Sequence, residues 1–236
     1  MRPPHTRRFA LGLIAAVPLL VPGLVHAATA TATATKTTTT TTTTTTGDGW
    51  AGYVVYGGTY TSVSGTWTQP TVKCTAGDQY SSYWVGLDGY ASDSVEQIGT
   101  EADCIDKTAE YSAWYEMYPT YSVTFTKTIK PGDAISASVT FSGTATYTLT
   151  IKDTTEGWTE TTVKNETGLA RSSAECIVDS PADSGTLPLA DFGTFVFDTC
   201  DVDGKSIIPQ NPIVLAPTGL TVSPVDSGVL SITWDS

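Results

Sequence analysis

The chain has 236 residues, 40% hydrophobic and 15% charged, and 12 Lys and Arg against 24 Asp and Glu give it a formal net charge of −12. That length supports one substantial core, and a charge of this sign repels nucleic acid and anionic membrane surfaces, which excludes both as partners. The same charge keeps an exported protein soluble, or suits it to acid, where protonation relieves the repulsion.

Residues Met1 to Ala27 carry Arg2, Arg7 and Arg8, an apolar run from Phe9 to Leu24 and a small-residue site at Val25-His26-Ala27. This is the pattern of a secretory signal peptide, too short and wrongly flanked for a membrane span. The mature protein is therefore expected outside the cell and free of the membrane. The only histidines, His5 and His26, leave with that leader, which removes zinc–histidine sites and histidine-dependent triads. Residues 28–48 alternate Ala and Thr and then run as unbroken threonine from Thr37 to Thr46. Such a segment buries no core and reads as a disordered linker or short pro-segment. Residues 49–236 are left as one domain.

From Trp50 onward no helical period is sustained. Short alternating runs recur at Tyr53–Tyr56, Thr59–Thr68, Ser82–Leu87, Glu110–Tyr118, Ser122–Ile129, Ala134–Phe141, Thr144–Lys152, Thr159–Asn165, Ala174–Asp179, Phe192–Phe197 and Leu230–Trp234. Turn signals separate them, among them Gly57-Gly58, Pro131-Gly132-Asp133, Asp203-Gly204 and Asp226-Ser227-Gly228. Many strands at hairpin spacing predict an all-β, antiparallel sandwich or barrel. Four cysteines, Cys74, Cys104, Cys176 and Cys200, remain after the leader; an even number in an exported chain argues for disulfides, with three pairings open. No pair has metal-ligand spacing, so neither metal nor cofactor is expected.

The stretch from Tyr83 to Pro119 carries the chemistry. Alternation along strands places Trp84 with Asp88, Gln97 with Glu101, and Trp114 with Glu116 and Tyr118 on shared faces. A face built only for a core would not carry Asp88, Glu101 and Glu116, and one built only for water would not need two tryptophans. The mixture reads as the floor of a binding groove.

These motifs resemble the glutamic peptidases, the G1 or eqolisin family formerly classed as A4. The likeness runs through Trp50 and Gly52, Gly65-Thr66-Trp67 before Pro70, Trp84 to Gly89, Gln97 to Thr100, Tyr111 to Pro119, Asn165-Glu166-Thr167, Ser173-Ala174-Glu175, Leu187 to Gly193 and Ile232-Thr233-Trp234. It implies a two-sheet sandwich of concanavalin-like, jelly-roll type, with peptide lying across a concave sheet. It also implies a secreted, acid-acting endopeptidase without metal or covalent intermediate. Gln97 stands at the family's catalytic glutamine, while Trp84, Asp88, Glu101, Trp114, Glu116 and Tyr118 match groove positions. The family's catalytic glutamate closes a strand of the form Ala-Glu-aromatic-Ile-Val-Glu. Here Ala174-Glu175-Cys176-Ile177-Val178-Asp179 puts Asp179 in its place, one methylene shorter, with Glu175 as the alternative carboxylate four residues back.

In that scheme Asp179 takes a proton from water, and Gln97 orients the water and stabilises the oxyanion. A displacement of roughly 1 Å costs on the order of 100-fold in rate. The shorter side chain therefore keeps a second reading open, a catalytically impaired relative that binds peptide or glycan. A third, a glycoside hydrolase, accounts for paired carboxylates among aromatics but not for Gln97. Cys176 replaces the family's aromatic and points away from Glu175 and Asp179 into the domain, and Cys74 and Cys104 bracket Trp84 and Gln97, so the expected disulfides are Cys74–Cys104 and Cys176–Cys200. The protein is expected to act as a monomer on protein or peptide substrates.

Overall fold

The computed structural model describes residues 44–45, 49–180 and 187–235; the expected leader and most of the threonine-rich linker lie outside the described residues. The strands are β1 (Thr44–Thr45), β2 (Ala51–Tyr56), β3 (Ser62–Thr68), β4 (Ser82–Asp88), β5 (Val95–Ile105), β6 (Thr108–Tyr118), β7 (Val123–Thr124), β8 (Ala134–Ser142), β9 (Thr146–Asp153), β10 (Trp158–Asn165), β11 (Ser173–Asp179), β12 (Thr194–Val202), β13 (Lys205–Ser206), β14 (Ile213–Leu215), β15 (Leu220–Val222) and β16 (Leu230–Trp234). They form two sheets, ordered β1-β14-β2-β11-β4-β5-β6-β7 and β10-β9-β8-β3-β12-β16-β15, with β13 on β12. Pairing is antiparallel apart from the short β1–β14 contact. The two-sheet, all-β architecture expected from the sequence is the one present.

The main core lies between the sheets. Tyr83, Val85 and Leu87 of β4, Ile98 and Cys104 of β5, and Cys176 and Val178 of β11 meet Trp67, Val139, Leu149, Phe195 and Phe197 from the facing sheet. Tyr83 stacks on Phe195 with ring centroids 4.6 Å apart, and Trp67 sets its edge against Phe197 at 5.9 Å. The buried indole of Trp67 donates from Nε1 to Thr100 Oγ1 at 3.2 Å, so its polar atom is not stranded in the core. Disulfides join Cys74 to Cys104 and Cys176 to Cys200. The second stitches β11 of one sheet to β12 of the other.

Several boundaries differ from the sequence expectations. The run Ser122–Ile129 forms a strand only at Val123–Thr124. Its remainder carries the chain from one sheet to the other, and the pattern there reflects Phe125 and Ile129 reaching the core during the crossing. Strand β5 extends over eleven residues, although polar and apolar residues do not alternate along it, because both of its faces are covered. The β5–β6 hairpin closes through Asp106 and Lys107, both at positive φ (50° and 64°), the geometry of a two-residue type I′ turn. The expected turn at Asp203-Gly204 closes β12 onto β13 in the same way, with φ of 50° and 71°.

Candidate active site

Register fixes the groove floor. Across β2, β11, β4, β5 and β6, one row holds Val54, Glu175, Gly86, Gln97 and Glu116. The next row holds Gly52, Ile177, Trp84, Gly99 and Trp114, and the one after it Asp179, Ser82, Glu101 and Ser112. In the middle row Gly99 separates Trp84 from Trp114 and leaves room for the Trp84 side chain. A Cβ on Gly99 would sit 2.2 Å from the Tyr83 carbonyl oxygen and 2.5 Å from Trp84 Cβ. Val54, Trp84, Val95, Trp114, Ile177, Ile213 and Leu215 form a second apolar cluster on this face, with Trp50, Tyr90 and Tyr118 packed against it. Trp50 meets Trp84 edge-on at 4.8 Å.

Within this apolar bed the amide of Gln97 is held in one orientation. Its Nε2 donates to Glu116 Oε2 at 2.6 Å, while its Oε1 has no hydrogen-bond partner, and the two residues are 0% and 1% exposed. One N–H and the carbonyl oxygen of the amide thus remain uncommitted. Burial pushes the Glu116 carboxyl up to about 8; the Gln97 hydrogen bond opposes this, and the charges of Asp179 and Glu101 add to it. At acid pH Glu116 is a neutral carboxyl.

Gly86 leaves the space between Gln97 and Glu175 open: a Cβ there would lie 3.3 Å from Gln97 Cβ, 3.2 Å from Glu175 Oε1 and 2.9 Å from Trp84 Cζ3. Glu175 therefore shares the row of Gln97, yet its electrostatic neighbours are Asp88 and Glu96. Complete burial holds its carboxyl well above the usual range, and Ser173 on the same strand offsets only part of that. Asp179, 1% exposed, lies two rows along from Gln97, and its charge acts on Glu116. Glu101 accepts from Ser112 Oγ at 3.1 Å.

Asp88 does not join this group. It sits at φ 65° at the end of β4, and its carboxylate accepts from the backbone N–H of Arg171 (2.6 Å) and Ser172 (2.8 Å) and from Ser172 Oγ (3.1 Å). It clasps the segment leading into β11, the strand that carries Glu175 and Asp179. Sequence reasoning passed over Glu96, which points from β5 to the opposite side from Gln97. Burial first and the Asp88 carboxylate second push its carboxyl up to about 8, against smaller opposing effects of Ser94 and Arg171. Its position beside Gln97 in a strand covered on both faces was the available signal.

Residues 48–214 match the model of the peptidase A4 family. Aspergillopepsin-2 of Aspergillus niger is 30% identical over 211 residues, covering 79% of this chain and 70% of that protein. Scytalidopepsin B of Scytalidium lignicola is 30% identical over 175 residues, covering 67% of this chain and 65% of that protein. The crystal structure of scytalido-glutamic peptidase with a peptide-based transition-state analogue superposes with a TM-score of 0.67 at 25% identity, covering 80% of this chain and all of that one. A family match over most of the chain, relatives at this identity and a shared sandwich agree, and the chain belongs to the peptidase A4 family of glutamic peptidases.

Proposed function

We propose that this glutamic peptidase is an exported endopeptidase that cleaves protein substrates in acid, with Asp179 as general base and Gln97 as the group that orients water and stabilises the oxyanion. The observation that carries the proposal is the Gln97 amide, pinned through one N–H to Glu116 and otherwise uncommitted. Its carbonyl oxygen accepts from the attacking water. Asp179 removes the other water proton as the new C–O bond forms, and the remaining N–H of Gln97 donates to the tetrahedral oxyanion. Collapse breaks the C–N bond, and the proton on Asp179 passes to the departing amine, which returns the carboxylate. Glu175 is a poorer base despite sharing the row of Gln97, because its carboxyl stays protonated. Export is supported by the leader-like first 27 residues and by the two disulfides.

A second reading, a relative that binds peptide without cleaving it, is favoured by one observation: Asp179 lies two rows from Gln97 and is one methylene shorter than glutamate. Digestion of a denatured protein at acid pH by the wild type, Asp179→Asn, Asp179→Glu and Glu175→Gln decides between them. Peptide hydrolysis predicts that the wild type cleaves, Asp179→Asn is dead and Asp179→Glu is at least as active. An active Asp179→Asn beside a dead Glu175→Gln moves the base to Glu175. A wild type that is inert while Asp179→Glu cleaves establishes the binding protein.

A further inference from the structure

One row beyond Gln97, at the end of the groove away from Asp179, β2 finishes with Tyr56, which stands opposite Ser173. Val54, two residues earlier, belongs to the groove-face cluster, whereas Tyr53 and Val55 pack into the core between the sheets. Alternation therefore turns the Tyr56 ring to the groove side. It meets the ring of Tyr90 at 5.0 Å, tilted by 54°. Tyr90 is fastened from below, since it packs on the groove cluster and its backbone N–H donates to Ser173 Oγ at 3.2 Å. Tyr56 nonetheless remains 53% exposed. A large aromatic half in water on a rigid support, continuous with an apolar floor, is how proteins present a surface for a partner side chain.

We propose that Tyr56 and Tyr90 form a specificity subsite that receives an aromatic or large aliphatic side chain of the bound peptide; this presupposes the peptide-binding groove proposed above. A row step is about 7 Å along a strand and neighbouring strands are about 4.8 Å apart, so Tyr56, one row along and three strands across, lies about 16 Å from Gln97. An extended peptide covers that distance in about four or five residues. The preference therefore falls four or five positions from the cleaved bond, on one side of it. The pair sits at the end of the groove opposite Glu101, and the cation at that end, Arg171, lays its guanidinium over the Phe141 ring of the facing sheet at 3.9 Å.

The test uses decapeptides, cleaved at their centre, that differ only in carrying Phe or Ala at the fourth or fifth position on either side of the bond. For the wild type one placement of Phe raises kcat/KM about 3- to 10-fold over Ala. In Tyr56→Ser with Tyr90→Ser that ratio falls to about one, and in Tyr56→Phe it is retained. The same peptides are also titrated onto Gln97→Ala, with and without the two serine substitutions, by fluorescence anisotropy, a readout that needs no turnover. A Phe preference in binding that the serine variant abolishes supports the subsite even if the wild type never cleaves, in which case it is hydrolysis that fails. Cleavage or binding that is indifferent to Phe at all four placements, or unchanged by the serine substitutions, overturns it. So does a cello-oligosaccharide that binds through the tyrosines while the peptides show no preference.

Discussion

Replacing Glu96 by Gln isolates how a buried carboxyl couples folding to pH. In the native protein this group ionises only near about 8, against a reference of 4.5. Between those values the folded state holds a proton that the unfolded chain has released, so stability is fully present below about 4.5 and is lost as pH rises toward 8. The slope is about 1.4 kcal/mol per pH unit for one such group, or about 2–3 kcal/mol between pH 5 and pH 7. Glutamine matches the shape, needs no proton and still offers a donor to Asp88. Urea unfolding followed by near-UV circular dichroism should therefore show Glu96→Gln close to the wild type near about pH 4 and progressively more stable than it above pH 5, with an unchanged m-value. Both proteins should still weaken at higher pH, because burial also holds Glu116 and Glu175 protonated. If the two stability curves run parallel from acid to neutral pH, Glu96 does not titrate in that window and the reasoning fails.

Gly99→Ala should be among the most damaging substitutions: its methyl would lie 2.2 Å from a strand carbonyl, and a melting experiment should register a loss on the order of 3 kcal/mol or more. Asp88→Ala strips the acceptor from the backbone N–H groups of Arg171 and Ser172 and should cost about 2–4 kcal/mol in denaturant titration, while Asp88→Asn recovers part of it. Removing the Cys176–Cys200 link with paired alanines should lower stability by about 2–4 kcal/mol, read from the unfolding midpoint under non-reducing conditions. Gln97→Ala should keep the wild-type circular dichroism spectrum and lower kcat by about 100- to 1,000-fold.

The fold was legible because a period of two is written into the chain wherever one strand face is covered and the other is wet, as in β10, whose residues alternate half-buried and exposed. The groove face was legible for the same reason, and register brings Gln97 and Glu116 together as that face implied. What alternation does not carry is position along the strand. Strand β11 enters between β2 and β4 from far along the sequence, and the row its carboxylates occupy depends on how that non-local pairing registers. The sequence therefore places Glu175 and Asp179 on one face without saying which of them faces Gln97. Nor does alternation govern a strand end, which is why Asp88 turns at positive φ and serves backbone N–H groups instead of the groove.

Strand β5 shows why the remaining chemistry was hidden. Both of its faces are covered, so carboxylates of either parity are buried: Asp103 lies on the side of Gln97, beside a half-buried Glu101, and Glu96 on the side of the core. A buried carboxyl with few donors around it costs least when it keeps its proton, and Glu96, Glu116 and Glu175 all titrate above the ordinary range. The net charge of −12 admits two explanations, solubility or acid adaptation, and a surface count cannot separate them. The buried carboxyls are a separate contribution, set by desolvation and screened far less by salt than a surface charge is. Raising ionic strength at neutral pH should relieve surface repulsion but leave these groups as costly to ionise as before, so a loss of stability toward neutral pH that persists in high salt comes from the interior, and one that salt removes comes from the surface.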